Sequence, residues 1–193
     1  MPRRTRLLLA LAALLLTTTY VLPLWHIALQ APQYPEGLGL YISIDGVTGQ
    51  NPHDLQSLNG LNHYIGMHKI VPEEIPELRY FPIAIGVLAL LGLLAAAAGR
   101  RWALNTYAAI LVAAAGAGLA DFWWWEYRYG HELDPMAAIK VPGMTYQPPL
   151  LGAKKMLNIT AHSWPASGGW ILTGAVTLVV VLVVLEHRRA RRA

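Results

Sequence analysis

The chain has 193 residues, of which 55% are hydrophobic and only 13% charged, and its mean hydropathy is +0.38; ordinary soluble domains do not have this balance. Its net charge of +4 is not a nucleic-acid footprint, because nine of the fifteen basic residues are arginines confined to positions 3–6, 100–101 and 188–192, and no basic patch interleaved with aromatics occurs elsewhere. There is no cysteine, so no disulfide can brace whatever lies outside a membrane.

In chain order, four apolar stretches are predicted to cross a bilayer as helices: Leu7–Trp25, Tyr80–Gly99, Trp102–Phe122 and Gly169–Glu186. A hydrocarbon core of about 30 Å takes roughly 20 residues of helix. The basic start and Leu-rich run of the first stretch fit a signal peptide. However, its apolar character continues through Thr17–Trp25 with no small-x-small cleavage site, so it reads as an uncleaved anchor. An even number of crossings places all nine arginines on one side, the cytoplasmic one by the positive-inside rule, with both termini there. The six remaining basic residues then face ten acidic ones on the outer side. The reading is of one integral membrane domain over residues 1–193, multi-pass in a bacterial inner membrane.

Two outer segments follow from that topology, His26–Arg79 and Trp123–Gly168. In the first, Pro32, Pro35 and Gly37 give an extended lead-in. Leu38–Asp45 alternates as a strand closed by Asp45-Gly46, Pro52–Met67 reads as a short helix, and Pro72–Leu78 is an acidic helical lead into the second span. In the second, Trp123, Trp124, Trp125, Tyr127 and Tyr129 form an interfacial aromatic belt, and Pro142–Pro149 is polyproline-like. Neither segment buries much core alone, so the two are expected to pack together as one cap. Arg100-Arg101 alone joins the second and third spans, which predicts an antiparallel hairpin. Gly86, Gly92 and Ala95–Ala98 would meet Ala113–Gly118 in it. Asp121 and Glu126, near Arg128, read as an interfacial ion pair or a helix-end contact.

Six of the seven histidines and four of the five methionines fall on the outer side or its interface. On a helix, His63 and Met67 share a face at i and i+4, and His68 comes within reach if the chain turns at Gly66. His131 and Met144 follow the aromatic belt. Imidazole plus thioether without thiolate suits copper in an oxidising compartment, which makes His63, Met67, His68, His131 and Met144 the candidate metal ligands. His26 and His53 read as structural. No predicted span has an interior histidine for haem, none carries the acids or breaks of an ion-coupled transporter, and neither a hydrolase motif nor a phosphate-binding Gly-rich loop is present.

The strings Leu61-Asn62-His63-Tyr64-Ile65-Gly66-Met67, Trp125-Glu126-Tyr127 with Tyr129-Gly130-His131, Ile139-Lys140-Val141-Pro142-Gly143-Met144 and Tyr146-Gln147-Pro148-Pro149 resemble those of a group of small bacterial multi-span proteins associated with copper enzymes of the nitrous-oxide-reductase type. The resemblance covers the outer segments and the span order, and implies an accessory role in periplasmic copper delivery or enzyme maturation. The sequence thus predicts an all-α membrane protein of four transmembrane helices with a small mixed, loop-rich cap on the outer face. It would be no enzyme, but an accessory that binds copper transiently or assists a periplasmic copper enzyme. Its partners would be the bilayer and a periplasmic or membrane protein. The alternative is a non-catalytic scaffold or small subunit of a membrane enzyme, with no metal of its own.

Overall fold

The computed structural model describes residues 1–156 and 158–192. In chain order these form α1 (Arg3–Leu16), β1 (Trp25–Ala31), β2 (Tyr34–Ile42), β3 (Val47–Gly49), α2 (Asp54–Ile65), α3 (Glu77–Ala98), α4 (Arg101–His131), β4 (Gly152–Met156), β5 (Ile159–Pro165) and α5 (Ser167–Ala190). The chain is therefore mixed α/β rather than all-α, and among the described residues three helices, α3, α4 and α5, are long and apolar enough to cross a membrane, not four.

The expected first span is divided by its own threonines. The hydroxyls of Thr17, Thr18 and Thr19 donate to the carbonyls of Leu14, Leu15 and Leu16 at 2.7–2.8 Å. This local back-bonding tightens Thr17–Tyr20 into a 3₁₀ turn. Pro23, without an N–H, prevents the helix from resuming, and Trp25 is already the first residue of β1. The apolar run is thus shared between a 14-residue helix and a strand.

Four helices, α1, α3, α4 and α5, pack into a bundle in which Leu9, Leu16, Leu104, Ala175 and Val179 are fully buried. A Cβ on Gly92 would lie 2.6 Å from the Cβ of Ala13 and 2.7 Å from the hydroxyl of Tyr107, so the small face of α3 receives α1 and a tyrosine of α4. The predicted mate of that face, Ala113–Gly118, lies elsewhere: Gly116 and Gly118 have nothing within 4 Å of where a Cβ would sit. At one end of the bundle Arg6 donates to the carbonyls of Ala96 and Ala97 at 2.9 Å, satisfying free acceptors at the C-terminus of α3. At the same end, Glu186, whose side chain is 2% exposed, accepts from Thr5 at 2.9 Å and Arg189 at 2.8 Å, with Arg101 at 3.6 Å. One buried carboxylate therefore ties α1, α4 and α5 together.

The opposite end carries a five-stranded antiparallel sheet in the order β3-β2-β1-β5-β4, where a loop-rich cap was expected. Side chains alternate with period 2. Ile27, Leu38, Leu40 and Val47 turn inward onto Leu58 of α2 and Leu78 of α3, and the ring of Trp25 lies 5.3 Å from that of Phe122 of α4. In β5, Ala161 and Ser163 are fully buried, and Ser163 accepts from the Trp25 indole at 2.7 Å while donating to the Leu150 carbonyl. The strands of the two segments stand side by side in one sheet, joined where β1 of the first pairs with β5 of the second over Trp25–Gln30.

Candidate functional site

α2 is anchored at its start by Asp54, 5% exposed, whose carboxylate accepts from the backbone N–H groups of Gly39 and Asn51 and from the Asn51 amide at 3.0–3.1 Å. It stops at Gly66, which takes φ of 82° in the left-handed region, where glycine carries no Cβ penalty. The chain then doubles back along α2. The Asn59 amide brackets both backbone groups of Ile70, at 3.0 and 2.7 Å, and the Asn62 amide donates to the His68 carbonyl at 3.2 Å.

This reversal decides where the predicted ligands go. Met67 lies beyond the left-handed residue, so it is not one helical turn above His63; the i, i+4 face-sharing ends with the helix at Ile65. His63 instead lines an open groove of about 650 Å³ with Gln56, Asn59, Gly60 and Lys69. His68 is carried toward α4. Its Nε2 stands 4.0 Å from a carboxyl oxygen of Glu132, its ring meets Tyr129 edge-on at 5.7 Å, and the Tyr129 hydroxyl donates to the Lys69 carbonyl. Arg128 approaches the same Glu132 oxygen at 3.5 Å. His131 stacks on Tyr127 at 4.0 Å with Nδ1 3.0 Å from the Tyr127 carbonyl. Met144 closes a turn from Val141 and is half-buried. Of the two contacts expected around Asp121, Glu126 and Arg128, an ion pair or a helix-end contact, Arg128 makes the second: it turns to Glu132 at the end of α4 and over the Trp125 ring, while Glu126 is buried. Among the described residues, no three His, Cys, Asp or Glu side chains gather closely enough to hold a metal ion.

The two outer segments meet at this place through their backbones. Asp134 N–H donates to the Gly66 carbonyl at 2.8 Å and Ile139 N–H to the Tyr64 carbonyl at 2.9 Å. The approach is close, since a Cβ on Gly66 would lie 2.9 Å from that of Ala137. Asp134 also accepts from the Met136 N–H at 2.8 Å, fixing the next turn. The clamped strip leaves apolar side chains in the open: Tyr64, Ile139 and Val141 are exposed, and Met136 is 82% exposed. With His68, Glu132 and Arg128 at its edge, the strip is an apolar surface bordered by charge. It went unread in the sequence, although the run Met136-Ala137-Ala138-Ile139 is conspicuously apolar for a segment between proline turns. No family model matches the chain, and no curated protein matches its sequence.

Proposed function

We propose that this protein is a membrane-integrated accessory whose sheet-bearing cap docks a partner protein at the outer face of a bacterial inner membrane. One observation carries the reading: Tyr64, Met136, Ile139 and Val141 stand exposed on a backbone-clamped junction, and large apolar side chains held rigidly in the open are what an interface needs. The arginine-rich end, where residues 3–6, 100–101 and 188–192 meet, faces the cytoplasm with both termini, and α1 packs beside the longer helices, burying Leu9, Ala12, Ala13 and Leu16 while Leu7, Leu11 and Leu14 stay exposed on its outer side. A second reading is favoured by the closeness of His68 to Glu132: the junction holds copper transiently, the remaining ligands coming from Met67, His131 or the docked partner. His63 and Met144 stay candidates for a neighbouring ligand on the same cap.

A photoreactive residue placed at Ile139 in host membranes tests the docking. It is expected to form one dominant adduct with a periplasmic or membrane protein, absent when Met136 is also changed to Asp and absent from a probe at Thr48 on β3. Equal adducts from both positions, or none, would remove the docking reading. Copper measured in the purified protein is the second arm: loss of bound copper in His68→Ala with Glu132→Gln supports transient holding, and no copper in the wild type ends it.

A further inference from the structure

The arginines at the cytoplasmic end divide into two sets. Arg6 is committed to the carbonyls that end α3, and Arg101 and Arg189 to the buried Glu186. His187, Arg188 and Arg191 instead line a separate groove of about 440 Å³ with Val183 and Val184. Spacings of four residues, Val183–His187–Arg191 and Val184–Arg188, put both rows on one side of α5. The His187 ring is oriented by Nδ1, 2.9 Å from the Val183 carbonyl. Val184 is 44% exposed. The groove is thus apolar toward the middle of the helix and cationic at its end, and the change comes within one turn.

We propose that this groove of α5 is a binding site for an anionic phospholipid, its acyl chain lying along Val183 and Val184 and its phosphate held by Arg188 and Arg191. The charge gradient matches such a lipid in both sign and order: hydrocarbon first, phosphate one helical turn further toward the cytoplasm. Guanidinium groups suit phosphate because they offer paired N–H donors in a planar fork, and basic clusters just cytoplasmic of a membrane helix attract anionic headgroups. The inference rests on α5 crossing the membrane as proposed above. Resistance of every variant to alkaline extraction from membranes checks that premise independently.

The test is native mass spectrometry of the full chain in mild detergent with phosphatidylglycerol or phosphatidylcholine added at equal concentration. The wild type is expected to retain phosphatidylglycerol at least fivefold better. Arg188→Gln with Arg191→Gln should bring the two lipids to parity. Arg188→Lys with Arg191→Lys, which keeps the charge that orients the helix, should keep the preference in reduced form. Arg3→Gln with Arg4→Gln, on α1, should leave it intact. An unchanged preference in the Arg188/Arg191 glutamine variant would overturn the site, as would its loss in the Arg3/Arg4 variant alone. Displacement of the lipid by inorganic phosphate at millimolar concentration would also overturn it, because the valines would then contribute nothing.

Discussion

Glu126 is 5% exposed, and both its carboxyl oxygens are buried without a hydrogen-bond partner among the described residues. A carboxyl group out of water and unpaired costs several kcal/mol that neighbouring contacts must offset, and replacing such groups by apolar ones of similar size is often stabilising. Glu126→Leu is therefore expected to stabilise the protein by about 1–3 kcal/mol, seen as a higher midpoint of thermal unfolding in detergent. A lower midpoint would mean that the carboxylate is held by a group that compensates it. Sequence proximity to Arg128 suggested an ion pair, but residues two apart on a helix do not face each other; Arg128 meets Glu132, at i+4. The same scale explains the ligand set. His63, His68 and Met67 were legible as chemistry-bearing residues, and so was a turn at Gly66. The return path along Asn59 and Asn62 was not, because it depends on side chain to backbone bonds that no periodicity announces.

Among the elements, the long apolar helices α3, α4 and α5 were readable because composition and length suffice to mark them. The end of α1 was not, since Leu7–Trp25 is uniformly apolar and only the Thr17–Thr19 hydroxyls and Pro23 divide it. Four of the five strands were also missed. β1 lay partly inside the apparent span, and the alternation of Ile159–Pro165, with Ala161 and Ser163 inward, is weak because those inward residues are small. Helix packing offers a matched pair of substitutions. Gly92→Leu must force its side chain between Ala13 and Tyr107 and is expected to destabilise the bundle by about 1–3 kcal/mol or more, as overpacking does. Gly116→Leu, in open space, is expected to change the unfolding midpoint little. Equal effects at the two positions in a thermal scan would mean that α1 does not seat against α3 as described.

On the scale of the whole molecule, two cores lie at opposite ends of the bundle axis, one within the helices and one beneath the sheet. One is an apolar bundle tied at its arginine end by Glu186, and the other is a sheet packed on α2, whose end at Tyr64 and Gly66 is clamped to the segment after α4. In the proposed reading, separation of charge along the bundle gives the cap a side of the membrane to face, and the clamped strip is what it presents there. Because the chain has no cysteine, single cysteines report position cleanly. The most direct measurement is the rate at which a membrane-impermeant maleimide labels Ile139→Cys, Thr48→Cys and Arg100→Cys, each in intact cells, in permeabilised cells and in purified protein. Cysteines at 139 and 48 are expected to label from outside, and the one at 100 only after permeabilisation. The cysteine at 139 alone should label several-fold more slowly in cells than in purified protein, because on the proposed function a docked partner covers it. Labelling at 100 from outside, or equal rates at 139 in cells and in purified protein, would contradict the account.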